Sequence, residues 1–174
     1  CLSPETIMPK LTKNTKAIIV VNLYGNMPEY DRLVDFCSSN NIFLIEDAAE
    51  SLGSSYKGIK SGKFGIGSVF SFHRTKTITT GEGGMLLLDD EDLYERCKFL
   101  RDHGRKPGSF YVEEVSHKYM PFNVQAALGY GQFKRIDQLV GKKIDILHRF
   151  KDNLKDFDNK VSMNPEPPHI INGA

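Results

Sequence analysis

The apolar positions of the chain fall into two rhythms. Ala17-Ile-Ile-Val-Val-Asn-Leu-Tyr24 is a nearly continuous apolar run rich in β-branched side chains, the pattern of a buried parallel strand. Shorter runs at 43–47, 69–72 and 85–88 predict three further strands. Between the first two runs, Tyr30, Leu33, Val34 and Cys37 recur at helical spacing and predict a core-packing helix over 30–39. Strand, helix and strand make a βαβ unit, for which a right-handed crossover is expected.

The ends of the elements are marked too. Ser3-Pro4-Glu5 reads as an N-cap followed by proline at the first helical position, opening a short helix over 5–11. Asp89 or Asp90 caps a helix with Leu93, Cys97 and Leu100 on its apolar face, closed at His103-Gly104. After a loop to Ser116, a long helical region starts at Asn123, with Leu128, Phe133, Ile136, Val140, Leu147, Phe150 and Leu154 on one face. Pro165, Pro167 and Pro168 then read as a linker. The glycines of 53–67 predict turns with an exposed hairpin, its lysines forming a solvated face.

A chain of 174 residues fits about one domain. The net charge of +1 gives no reason to expect nucleic acid or an anionic membrane as partner. No apolar run of membrane-spanning length and no signal peptide is present, which predicts a soluble cytoplasmic protein. Three widely spaced cysteines, Cys1, Cys37 and Cys97, suit reduced thiols rather than disulfides or a metal site. The order Gly62-x-x-Gly65-x-Gly67 is wrong for a dinucleotide fingerprint. Gly81-Glu-Gly-Gly84 lacks the Gly-Lys-Ser/Thr ending of a phosphate loop.

Two positions carry candidate chemistry. Lys76 lies between the apolar run ending at Phe72 and the glycine turn Gly81-Glu-Gly-Gly84, among Thr75, Thr77, Thr79 and Thr80. A lysine on a loop is usually a solvated charge. Burial, however, disfavours the ammonium, and the neutral amine can attack a carbonyl, which makes Lys76 a candidate Schiff-base lysine. The strand 43–47 ends in Glu46 and Asp47, and ligands in open α/β sheets sit at the carboxyl ends of strands. Pyridoxal phosphate needs such a lysine and a partner for its pyridine nitrogen; Asp47 suits the second task. The plain alternative for Asp47 is a cap on the segment that follows.

Ile45-Glu-Asp-Ala-Ala-Glu50, Gly65-Ile-Gly-Ser-Val-Phe-Ser-Phe-His-Arg-Thr-Lys76 and Thr80-Gly-Glu-Gly-Gly84 together resemble the DegT/DnrJ/EryC1/StrS family. These are pyridoxal-phosphate-dependent aminotransferases of nucleotide-linked keto sugars, and the likeness runs from about Ile18 to Phe133. The Lys76-to-Gly84 variant is most similar to the branch typified by GDP-perosamine synthases. The resemblance implies an α/β fold of the PLP-dependent transferase type (aspartate aminotransferase-like, fold type I), with a mostly parallel sheet flanked by helices. It implies that 1–158 is part of the cofactor-binding large domain, and that 159–174 is a linker and the start of a small C-terminal domain. It also marks the chain as a fragment.

By the same resemblance Lys76 bonds the cofactor, pyridoxal 5′-phosphate, and Asp47 pairs with its ring nitrogen. Ser71 helps hold the phosphate, and Glu50 stands where the family often has glutamine beside the phenolic oxygen. Lys118 is matched to a residue donated across a homodimer interface to the partner's cofactor phosphate, so active sites are shared. Asn22 replaces a frequent histidine and Met120 a frequent arginine. The implied reaction moves an amino group, with glutamate as donor, to a nucleotide-linked 4-keto-6-deoxy sugar, and no metal takes part. Relatives that dehydrate have histidine in place of this lysine. Two other classes are a cofactor-binding regulatory protein without turnover and an inactive piece of such an enzyme. Borohydride fixation of cofactor on Lys76 discriminates among them.

Overall fold

The computed structural model describes residues 1–157 and 160–173. Helix α1 (Pro4–Ile7) runs into a 3₁₀ turn over Met8–Lys10. It is shorter than the expected 5–11 because Pro9 has no N–H for the carbonyl four residues back, and the backbone tightens instead. Strand β1 (Ala17–Val21), helix α2 (Tyr30–Ser39) and strand β2 (Phe43–Asp47) form the βαβ unit. The hairpin β3 (Ser55–Tyr56) and β4 (Ile59–Lys60) comes next, then β5 (Gly67–Ser71) and β6 (Gly84–Leu87). Helices α3 (Glu91–Arg101), α4 (Asn123–Phe133) and α5 (Ile136–Leu154) precede a last short strand, β7 (Ile170–Ile171).

The main sheet has the order β1-β2-β5-β6. Its first two pairings are parallel, with Val21 opposite Asp47 and Asp47 opposite Val69. β6 returns antiparallel on β5, placing Gly84 opposite Ser71. The sheet is therefore mixed but mostly parallel. A second sheet of order β4-β3-β7 is antiparallel throughout. The domain boundary expected at 158–159 lies outside the described residues. Among the described residues no helix is long and apolar enough to cross a membrane.

The core forms on one face of β1 and β2. Ile18, Val20 and Leu44 meet Tyr30, Leu33 and Cys37 of α2, at about 1.5–3 kcal/mol for each large side chain taken fully from water. Val34, one residue off that stripe, stays exposed. β1 ends at Val21 and is not buried on both faces as expected: Ile19 and Val21 point away from α2 into solvent. The hairpin also departs from expectation. Tyr56 and Phe64 turn inward, and the Phe64 ring stacks on Tyr30 at 3.9 Å and 11° with Tyr56 set edge-on to both. Large aromatic area drawn to a buried tyrosine outweighs the polar look of the segment. Asp31 of α2 further ties down Lys57, 2.5 Å away, and the Tyr56 hydroxyl.

Strand alternation brings a carboxylate into this core. Leu44 and Glu46 of β2 share the α2 face, and Glu46 is fully buried, with no ion pair to it among the described residues. Hydrogen-bond donors replace water around it. Asn22 Nδ2 (2.8 Å), Ser61 Oγ (3.1 Å) and Ser68 Oγ (2.8 Å) donate, as do the backbone N–H groups of Gly62 (2.9 Å) and Phe64 (3.0 Å). The Tyr30 hydroxyl donates to Asn22 Oδ1 at 2.7 Å. Burial, and then the charge of Glu46, push that phenol's pKa upward, so it remains a donor. Replacing Glu46 by Leu takes the acceptor from one Asn22 amide proton, the other staying on Ser51 Oγ, and from two backbone N–H groups. We expect Glu46→Leu to cost about 3 kcal/mol or more, at roughly 1–3 kcal/mol per unsatisfied buried donor, read from the urea unfolding midpoint.

Candidate active site

Because β1, β2 and β5 run parallel, their carboxyl ends form one rim. Asn22 to Tyr24 follow β1, Asp47 to Glu50 complete β2, and Ser71 to Lys76 continue from β5. Asp47 is next to Glu46, and alternation turns its side chain to the opposite face, where it is part-buried. Its Oδ1 accepts the Ala49 N–H at 3.0 Å; this is a turn contact rather than a helix cap, since turns follow β2. That leaves Oδ2 without a protein hydrogen bond among the described residues.

Lys76 sits on a closed loop. Phe72 N–H bonds Gly83 O at 2.8 Å, and Thr80 N–H bonds Phe72 O at 2.9 Å, pinning the base. Ile78, 3% exposed, anchors the interior of the loop, and Lys76 N–H returns to His73 O at 3.0 Å. The glycine turn bends as the sequence predicts, with φ of +82° at Gly81 and +149° at Gly83.

The lysine is not solvated freely: its side chain is 22% exposed, and Nζ donates to Glu50 Oε1 at 3.2 Å. Glu50 Oε2 accepts the Tyr24 N–H at 3.0 Å, which Tyr24 presents from a left-handed backbone, φ +52°. The Tyr24 amide, and after it Lys76, hold the Glu50 carboxyl below its ordinary value against the opposing effect of burial. Three strand ends thus converge in one chain of contacts, Tyr24–Glu50–Lys76.

The other expected residues lie as follows. Ser71 Oγ accepts the His73 N–H at 3.2 Å, which leaves its hydroxyl proton free to donate. The Lys118 ammonium lies over the Phe122 ring, 5.2 Å from the centroid, and its backbone bridges to Asp102. Met120 is exposed, and Asn22 is fully buried on Glu46. Sequence reasoning passed over Glu46 and Asn22 as a unit. The signal was there: an acid on the core-facing phase of a strand needs partners.

The fold and this rim define an α/β domain of the aminotransferase type. The sequence matches the DegT/DnrJ/EryC1/StrS aminotransferase family over residues 1–171, and the chain belongs to that family. It is 40% identical to GDP-perosamine synthase of Escherichia coli O157:H7 over 154 residues, 88% of this chain and 42% of that protein. Among solved structures, Helicobacter pylori PseC, an aminotransferase of pseudaminic acid biosynthesis, superposes with TM-score 0.84 at 31% identity, covering 89% of this chain and 43% of that one. Spr1654 of Streptococcus pneumoniae, in its PLP-form, gives TM-score 0.84 at 27% identity over 98% of this chain and 49% of that one. The chain thus spans less than half the length of these relatives.

The lowered Glu50 value fixes a pH dependence. As pH falls the unfolded chain protonates first, so the stabilisation is complete above the ordinary value of 4.5 and is lost as pH drops through the lower folded value. The stability difference between wild type and Glu50→Gln is expected to be flat above about pH 5.5, one unit over the ordinary value, and to shrink below it. Urea unfolding across a pH series measures it.

Proposed function

We propose that the protein is a pyridoxal-phosphate-dependent aminotransferase acting on a nucleotide-linked 4-keto-6-deoxy sugar, with glutamate as amino donor. The observation that carries this reading is the half-buried Lys76 amine, held 3.2 Å from Glu50 on the rim that also bears Asp47. Family membership and the names of relatives support it. These include GDP-perosamine synthases and, in Helicobacter pylori, a UDP-4-amino-4,6-dideoxy-N-acetyl-beta-L-altrosamine transaminase. Three free thiols, with no disulfide among the described residues, accord with a cytoplasmic setting.

The side chains on the rim fit pyridoxal 5′-phosphate: a shielded primary amine, a carboxylate with one uncommitted oxygen, and a serine hydroxyl with its proton available. Bound there, pyridoxal phosphate supplies the electron sink that lets an amino group pass between donor and keto carbon. Lys76 would hold the cofactor through its side-chain amine, and its Nζ is placed to hold or move a proton as general acid and base. Glu50 serves as counter-charge to the Lys76 ammonium and draws it toward the rim. Asp47, with Oδ2 uncommitted, would hold the ring nitrogen, and the Ser71 hydroxyl would donate to the phosphate. Lys118 would lend a point charge to the phosphate in a neighbouring subunit of a homodimer. In this reading 1–158 belongs to the cofactor-binding domain, and 159–174 leads into a second, small one.

Lys76→Ala is expected to abolish both sugar amination and the cofactor label fixed by borohydride, while cofactor still binds reversibly. Labelling of another lysine, or amination above a trace, counts against it. Asp47→Asn should lose several powers of ten in rate, more than about 4 kcal/mol at roughly 1.36 kcal/mol per tenfold; a loss under tenfold makes Asp47 only a turn contact. Mixing Lys76→Ala with Lys118→Ala subunits tests the shared site. Activity should return as subunits exchange, because one site of each mixed dimer then carries neither lesion.

A further inference from the structure

The loop that carries Lys76 is gripped from outside by one face of α4. Gln125, Gly129 and Gln132 lie at i, i+4 and i+7 of that helix, hence on one face. Gln132 makes a two-way amide contact with the backbone of Thr79. Its Nε2 donates to Thr79 O at 2.7 Å, and its Oε1 accepts Thr79 N–H at 3.1 Å. Gln132 Nε2 also donates to Leu128 O at 2.8 Å within α4, which orients the amide. Two turns earlier Gln125 Nε2 donates to Glu82 O at 3.0 Å. Between them the helix comes so near that a β-carbon on Gly129 would lie 3.0 Å from the Thr80 methyl.

These contacts fall on Thr79, Thr80 and Glu82, the returning limb of the Lys76 loop. Thr79 is held at three points, since its hydroxyl also donates to Phe72 O at 3.2 Å. The other limb is fixed at Phe72 by the strand. Lys76 lies between these two anchors. A nucleophile on a loop reacts well only when its range of positions is narrow, and the anchor nearer in sequence to Lys76 is Thr79.

We propose that Gln132 is a positioning residue for Lys76: by clamping the Thr79 backbone it sets where the lysine amine is presented. The proposal rests on the reading of Lys76 as the lysine that bonds pyridoxal phosphate. Gln132 itself touches neither Lys76 nor any reacting atom; it acts through the loop.

The test uses the full chain with Gln132→Met, which removes donor and acceptor at similar volume, and Gln132→Glu, which keeps the acceptor for Thr79 N–H but sets a carboxylate oxygen against Thr79 O. Three quantities are followed: amide exchange at Thr79 without cofactor, the rate at which added pyridoxal 5′-phosphate becomes borohydride-fixable on Lys76, and the thermal midpoint. In Gln132→Met we expect Thr79 exchange and the time for labelling each to lengthen or shorten by tenfold or more, exchange becoming faster and labelling slower. Gln132→Glu should fall between Gln132→Met and wild type, and it carries the test if Gln132→Met does not fold. A Gln132 that only packs α4 would lower the midpoint and leave labelling unchanged. Labelling of Lys76 at the wild-type rate in the folded variants overturns the proposal alone. A wild-type chain that takes no label at Lys76 overturns the reading beneath it, and the proposal with it.

Discussion

The strands that carry the rim are tied together by a carboxylate taken out of water with no counter-ion among the described residues. An isolated buried carboxylate is among the costliest groups a fold can hold. Glu46 is accommodated because neutral dipoles from separate segments converge on it: the Asn22 amide, the Ser61 and Ser68 hydroxyls, and the backbone N–H groups of Gly62 and Phe64. The five donors fix three pieces of chain. Asn22 registers the end of β1, Ser68 registers β5, and the 61–64 turn is drawn over the core, which seats Phe64 on Tyr30. A salt bridge would tie two points; this carboxylate ties four.

Position 46 also decides what position 47 does. With Glu46 locked toward α2, the pleat sends Asp47 to the other face. A one-residue slip would exchange the two acids and leave the network without its acceptor, so the network specifies register as well as stability. Glu50, three residues beyond Asp47, reaches both the Tyr24 amide and Lys76. One short stretch of sequence thus supplies the inward anchor, the outward acid and the counter-charge of the lysine.

Much of the frame could be read from the sequence because its signals are local. Strand 43–47 and helix 30–39 stand where hydrophobic period placed them. Asp90 caps α3 through Leu93 N–H at 2.7 Å, as an acid just before a helical stripe predicts. Lys76 was conspicuous as the one lysine between an apolar strand and a glycine turn. What escaped was set by partners far along the chain. Lys76 finds Glu50 26 residues away and Gln132 finds Thr79 53 residues away, and no period or cap encodes such pairings. The hairpin looked exposed because its own residues are largely polar; the core cluster around Tyr30 is what draws Tyr56 and Phe64 inward. The outward faces of Ile19 and Val21 show the converse, since an apolar run fixes a strand without fixing what lies on each side of it.

The positions of the Glu46 donors along the chain bear on the order of assembly during synthesis. Among the described residues, every group that donates to it lies between Asn22 and Ser68, so these donors are all synthesised before Lys76. The helix that clamps the lysine loop follows about fifty residues later, several seconds of translation at roughly 5–20 residues per second. During that interval the nascent chain can hold a finished rim while its lysine loop still lacks its outer support. Conditions that slow elongation between Thr79 and Gln132 therefore prolong a state in which the Lys76 loop is present without its contacts to α4.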